Sequence, residues 1–247
     1  MDLGLKDRVY VVTGGTKGLG RATADALVTD GARVVLSSRS QDSVDAAVAA
    51  FGNSARGLPA DNADPTTPDR LVAAALDTWG RLDGALISVG GPPGTPALTA
   101  SDEQWRDAFE SVFLGAVRVA RAVVPHLSTG GAIGLVLSTS SKSPISGLEI
   151  SNGLRPGLAM WAKHVADDLG PRGIRSFGLL PGRVSTDRTL SLTPDPHDRD
   201  AIAQTIPLRR YGNPEEFGRV AAFLLSPAAS YLTGLVVPVD GGALRAL

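Results

Sequence analysis

Five short runs of aliphatic and β-branched residues recur along a chain of 247 residues: Arg8–Thr13, Ala32–Ser37, Leu82–Val89, Ala132–Ser138 and Ile174–Leu180. Runs of this length and apolar content read as strands buried on both faces of a parallel sheet. Between them lie longer segments with helical spacing, Gly18–Asp30, Gln41–Phe51, Pro68–Trp79, Asp102–Leu127 and Gly157–Gly170. Arg56–Ala60 is a weaker strand candidate and Leu235–Val239 a final one. The alternation predicts an α/β fold: a Rossmann-type doubly wound parallel sheet of about seven strands, with helices on both faces. No repeat, low-complexity tract or linker divides residues 1–247, so one domain is expected.

Composition narrows what such a sheet can carry. With no cysteine, the chain has no disulfide, no thiolate nucleophile and no Cys-based metal site. Its three histidines, His126, His164 and His197, are too far apart in sequence to suggest a His-rich metal site. A net charge of −1 leaves no basic excess to neutralise a run of phosphates, so a nucleic-acid partner is not expected. Met1–Tyr10 mixes acidic and basic residues, and nowhere do 18 apolar residues run together. A cytoplasmic protein without a membrane partner is the expectation.

Thr13-Gly14-Gly15-Thr16-Lys17-Gly18-Leu19-Gly20 follows the first strand and opens the first helix. Glycines there let the backbone approach a pyrophosphate, whose charge meets the free N–H groups of the helix start. Such a turn is weak evidence alone and strong evidence between a strand and a helix of an alternating chain. The second strand bears on which dinucleotide is taken. An acidic residue at its end would hold the ribose 2′-hydroxyl of NAD. Here the chain reads Ser37-Ser38-Arg39, with no carboxylate before Asp42. Arg39 and Lys17 suit a 2′-phosphate instead, so NADP(H) is preferred over NAD(H). Asp61 either accepts from the adenine amino group or begins a turn before Pro65.

These residues resemble the short-chain dehydrogenase/reductase family, and the resemblance covers nearly the whole chain. Thr13–Gly20 matches its TGxxxGxG motif and Asp61 its adenine-side aspartate. Pro181-Gly182, with Val184 and Thr186 beyond, matches its PG motif beside the nicotinamide. Tyr231-Leu232-Thr233-Gly234 and Val239-Asp240-Gly241-Gly242 are similar to the closing segment of 3-oxoacyl-acyl-carrier-protein reductase-like members. The resemblance implies a homotetramer or homodimer.

The catalytic end departs from the family pattern of Asn, Ser, Tyr and Lys. Ser138 matches the serine that holds the substrate oxygen, but 13 residues on the tyrosine position is Ser151. Four further, the lysine position is Arg155, and the asparagine position is Val112. The NNAG motif reads Ile87-Ser88-Val89-Gly90, keeping only Gly90. A serine hydroxyl falls roughly 4–5 Å short of a tyrosine oxygen and is a weaker acid. Arg155 keeps the cation on the ribose side but shuttles protons poorly. Lys142 is a candidate proton donor if it points into the pocket, as is water. Pro156 predicts that the helix either begins there or kinks, moving Ser151 in both cases. The Ser141-Lys142-Ser143-Pro144 loop and the Ser151-Asn152-Gly153-Leu154-Arg155 segment are similar to a subgroup of reductase-like members.

The sequence thus points to an NADP(H)-dependent oxidoreductase with an altered site, acting on a small carbonyl or alcohol substrate. Ser138, Ser151, Arg155 and Lys142 are its candidate catalytic groups. Gly14, Thr16, Lys17, Gly18, Leu19, Gly20, Ser38, Arg39, Asp61, Gly90, Arg155, Pro181, Gly182, Val184 and Thr186 are its candidate cofactor ligands. Two alternatives stand beside it: a non-redox isomerase, dehydratase or cyclase on the same scaffold, or a noncatalytic nucleotide-binding partner in a family oligomer. The loops Gly91–Leu98 and Ser185–Ile206 are expected to wall the substrate pocket.

Overall fold

The computed structural model describes residues 2–96 and 98–246. Seven strands form one parallel sheet: β1 (Val9–Thr13), β2 (Arg33–Ser38), β3 (Ala55–Pro59), β4 (Leu82–Ile87), β5 (Leu127–Val136), β6 (Arg175–Pro181) and β7 (Leu235–Val239). Their spatial order is β3-β2-β1-β4-β5-β6-β7. Alternation of side chains across the pleat splits the core in two. Val9 and Val11 of β1 join Ala85 and Ile87 of β4 on one face. Tyr10, Val12 and Leu86 join the other.

The first face is covered by α3 (Thr67–Trp79), α4 (Asp102–Ala108), α5 (Gly115–Val123) and α6 (Glu149–Leu169). The second is covered by α1 (Gly18–Thr29), α2 (Gln41–Phe51) and α9 (Pro214–Leu225). Two shorter helices, α7 (Asp187–Leu192) and α8 (Pro196–Thr205), lie in the long connection from β6 to α9. Among the described residues, no helix is long and apolar enough to cross a membrane.

The seven-stranded architecture is the expected one, while three element boundaries differ. The segment Asp102–Leu127 is not one helix. After α4 it widens into a π-helical stretch at Phe109–Leu114, where the Phe109 and Phe113 rings stack at 5.3 Å. Beyond α5 a 3₁₀ turn at Val124–His126 ends the helix; Pro125 there has no N–H to continue the ladder, while Val124 keeps helical geometry and Leu127 turns to extended backbone. Leu127 therefore starts β5 rather than ending a helix, and β5 stops at Val136, two residues before Ser138.

The third difference concerns Pro156. Helix α6 does not begin there; it starts at Glu149 and runs through the proline. Only the Asn152 carbonyl loses a ladder donor, and packing holds the first two turns in place. A Cβ at Gly153 would lie 2.5 Å from the Trp105 ring, so the missing side chain is what admits the indole. The Asn152 side chain accepts from Ile145 N and donates to Ile145 O, anchoring the preceding loop at 3.0 and 2.9 Å. Ser151 is consequently a helical residue, 6% exposed.

Candidate active site

The sheet reverses its winding between β1 and β4, and the crevice outside such a switch point is where a doubly wound sheet takes ligands. Thr13 and Ser88 close the seam: Thr13 Oγ1 donates to Ser88 O at 3.0 Å and accepts from Ser88 N at 2.9 Å. Above them opens a cleft of ≈ 890 Å³.

Its floor is the glycine turn. Gly14 and Gly18 have φ of +60° and +53°, which side chains other than glycine rarely adopt. A Cβ at Gly20 would fall 2.3 Å from Gly14 O, so the turn curls too tightly for any other residue. Lys17 precedes α1 and gives its first N–H groups no side-chain acceptor, and no acidic residue lies in the first turn. Those donors and the positive end of the helix are available to a phosphate. Lys17 and Arg39 both line the cleft, and neither forms an ion pair among the described residues. Free backbone donors beside two unpaired cations fit a dinucleotide phosphate.

Gly14, Gly18, Leu19, Gly20, Gly90, Pro181, Gly182, Val184 and Thr186 also line this cleft. Gly182 N donates to Val239 O at 3.0 Å, and a Cβ there would lie 2.5 Å from that of Asp240. Thr186 caps α7 by accepting from Thr189 N. Thr16 and Ser38 are partly buried outside the lining. Asp61 is exposed and also outside it, accepting from Ala63 N at 3.0 Å and so heading an Asx turn. Of its two expected roles, the turn is the one this geometry displays.

At the other end, three serines follow one another around the first turn of α6. Ser138 Oγ accepts from Ser140 N at 3.1 Å. The Ser140 hydroxyl, buried, sits 3.2 Å from that of Ser151. Ser138 and Ser151 line the cleft, as does Arg155, which is 4% exposed. Arg155 Nη1 donates to Val136 O and Nη2 to Val89 O, tying α6 to the ends of β5 and β4. Burial first, and the neighbouring Arg188 guanidinium second, push its pKa down to about 10. It is still charged at neutral pH.

One candidate falls out of the site. Lys142 ends the 3₁₀ turn Thr139–Ser141, is exposed, and does not line the cleft. Thr139 still lines the cleft, and by the end of that turn Lys142 has passed to the exposed surface. Nor does a tyrosine reach the cleft: Tyr10 is a core residue, and Tyr211 and Tyr231 lie outside the lining. Val112 is a core residue in the π-helical stretch.

Arg188 is the residue that sequence reasoning missed. From α7 its Nη2 crosses to Pro92 O at 2.6 Å, bridging the two loops expected to wall the pocket. Gly91 makes room, since a Cβ there would lie 2.7 Å from the guanidinium. The signal was a second cation two residues after Thr186, in a loop set aside as variable.

A parallel sheet with a phosphate-sized glycine turn at its switch point defines the class of nicotinamide-type dinucleotide folds. Within that class, the chain belongs to the short-chain dehydrogenase/reductase family of oxidoreductases. A family model described as enoyl-(acyl carrier protein) reductase matches residues 14–243. Dehydrogenase/reductase SDR family member 4 of Oryctolagus cuniculus is 35% identical over 245 residues, 97% of this chain and 94% of that protein. A 3-oxoacyl-[acyl-carrier-protein] reductase of Synechocystis is 33% identical over 247 residues, 96% of this chain and 97% of that protein. The structure of L-sorbose reductase from Gluconobacter frateurii, complexed with NADPH and L-sorbose, superposes with a TM-score of 0.94 at 29% identity, covering 100% of both chains.

Proposed function

We propose that this chain is an NADP(H)-dependent oxidoreductase that converts a small carbonyl or alcohol at an altered active site. The observation that carries the cofactor choice is the end of β2, where Arg39 lines the cleft with no carboxylate beside it. A 2′-phosphate would meet Arg39 and Lys17; a bare 2′-hydroxyl would find no acidic acceptor. The solved L-sorbose reductase complex with NADPH supports the same choice by likeness.

When bound, the nicotinamide supplies or takes the hydride at the substrate carbon. The protein's part is to hold the oxygen and move a proton. Because Ser138 Oγ already accepts from Ser140 N, its own hydrogen is free for the substrate oxygen. Ser151 and Ser140 form a hydroxyl pair behind it, through which water entering the cleft can exchange a proton. Arg155 places a buried positive charge near the developing oxyanion, and the low surrounding dielectric strengthens its effect. With neither a phenol nor Lys142 in the cleft, water is the proton source. On this reading the chain also self-associates as a homotetramer or homodimer, which light scattering checks.

The test is consumption of NADPH, followed by absorbance, across a panel of ketones, aldehydes and acyl thioesters. Turnover of NADPH with at least one member is expected. Silence across the panel, with NADPH bound, would sink the redox reading. The absence of a phenol from the lining favours one rival. In it the Ser138 and Arg155 donors steady an oxyanion during isomerisation or dehydration, and product forms without cofactor consumption.

A further inference from the structure

We propose that the substrate is an acid, and that Arg155 at the base of the cleft and Arg188 at its mouth hold the carboxylate. The inference rests on the cleft being a nicotinamide-dependent carbonyl site, and it adds the substrate class.

Charge in the cleft is one-sided. Its lining carries five cationic side chains, Lys17, Arg39, Arg155, Arg183 and Arg188, against one carboxylate, Asp187. Lys17 and Arg39 stand at the glycine turn and at the end of β2, where the dinucleotide phosphates fall. Arg155 and Arg188 belong to the opposite wall, α6 and α7, and among the described residues their only partners are carbonyls: Val136 and Val89 for the first, Pro92 for the second. Neither has a carboxylate within ion-pair distance among the described residues.

Arg155 is also left incomplete. Its Nε is buried and has no hydrogen-bond partner among the described residues. A guanidinium taken out of water normally has its donors satisfied and its charge paired. A second guanidinium nearby raises that cost, and burial and mutual repulsion already weaken the hold of Arg155 on its proton. An anion between the two would offset both effects. Planar guanidinium forks suit a carboxylate, which takes two parallel hydrogen bonds.

Position then selects the substrate. Arg155 grips Val136 O, two residues before Ser138, and the Arg155 and Ser138 side chains line the same cleft. A short 2-oxo or 3-oxo acid, or the matching hydroxy acid, would present its carboxylate to one and its second oxygen to the other. The Pro92 bridge from Arg188 places the second fork over the same mouth.

The experiment titrates 2-oxobutyrate, its methyl ester and inorganic phosphate by calorimetry into the protein loaded with NADP+, which has no hydride to give an oxo acid. The acid should bind at least about tenfold tighter than the ester, the value of one lost charge-assisted contact. Arg188→Gln, at the exposed mouth, should cut that preference severalfold, leaving Arg155's share, while changing the NADPH Kd less than about twofold. Equal binding of acid and ester overturns the proposal. So does a parallel loss of NADPH and acid binding in Arg188→Gln, which would make Arg188 a ligand of the cofactor phosphates. Phosphate binding as tightly as the acid overturns it as well. If the wild type binds no NADPH, the cofactor reading fails by itself. The same acid and ester titrations of the free protein then decide the subsite, and a retained preference for the acid supports it.

Discussion

The hydroxyls of Ser140 and Ser151 form a buried pair, 3.2 Å apart, that joins the turn after β5 to the first turn of α6. Each hydroxyl removed singly leaves the other without that partner, at a cost of about 1–3 kcal/mol, whereas removing both together is nearly neutral. Ser140→Ala and Ser151→Ala should therefore each lower Tm, with the double variant recovering most of the loss. Their effect on turnover separates structure from proton transfer. Ser138→Ala should lower kcat/KM by about a hundredfold or more through the lost oxygen donor. The double variant should slow kcat while leaving KM for the carbonyl close to its original value.

Arg39 offers a direct measure of cofactor choice. Arg39→Asp replaces a phosphate-binding fork with a ribose-type acceptor and adds repulsion. The ratio of NADPH to NADH affinity should fall by about a hundredfold or more, combining a lost charge-assisted contact with the new repulsion. Cofactor fluorescence titration reads it, and an unchanged ratio would remove Arg39 from the site.

Gly20→Ala tests the tightness of the turn. The new Cβ would meet Gly14 O, which is backbone and cannot rotate away. NADPH affinity should drop along with Tm. By contrast, the contact at Gly91 is with the end of a flexible arginine, so Gly91→Ala should leave Tm nearly unchanged and disturb only the mouth.

Arg175 is a structural cation. Buried at the start of β6, it donates to Leu224 O, Leu225 O and Ser226 O at 2.6, 3.2 and 2.9 Å, capping the end of α9. Arg175→Met should cost about 2–3 kcal/mol, or roughly 5–10 °C in Tm, by leaving those carbonyls unsatisfied. Cofactor binding at the far end of the sheet should persist below the new Tm.

Glu216 carries a pH signature. The Arg210 guanidinium, and then the Asn213 backbone N–H, hold its carboxyl down to about 2. A carboxylate depressed in the folded state stabilises above its ordinary range, and that stabilisation is lost as pH falls through that range toward about 2. A carbon-detected NMR titration should place the Glu216 midpoint near 2, and Arg210→Gln should raise it toward the usual carboxylate range.

The sheet was legible because each strand is a local apolar run, and local pattern survives tertiary context. The break at Phe109–Leu114 was not, since the segment contains no helix breaker and its apolar spacing continues through the stretch where Phe109 and Phe113 stack. Pro156 misled in the other direction: of the two readings it allowed, a helix start or a kink, the start fails, because Trp105 packs on Gly153 and Asn152 bonds Ile145 in a helix that already runs from Glu149. In the site, the glycine turn and Arg39 could be placed because their roles follow from adjacency to a strand end. Lys142 could not, because a single 3₁₀ turn decides whether it faces cleft or solvent. Arg188 needed the Gly91 loop, nearly a hundred residues away in sequence, to become visible.

The seam between β1 and β4 has a consequence for how the chain reaches its native state. It is stitched by contacts 74–75 residues apart in sequence, Val9 N to Asp83 Oδ2 and Thr13 with Ser88 among them. The glycine turn hangs from one side of that seam and the Ser138 turn lies beyond the other. A population with either half folded alone would have no cleft. Ligand affinity is therefore a gauge of joined halves, and a saturating dinucleotide would protect the seam from opening by mass action.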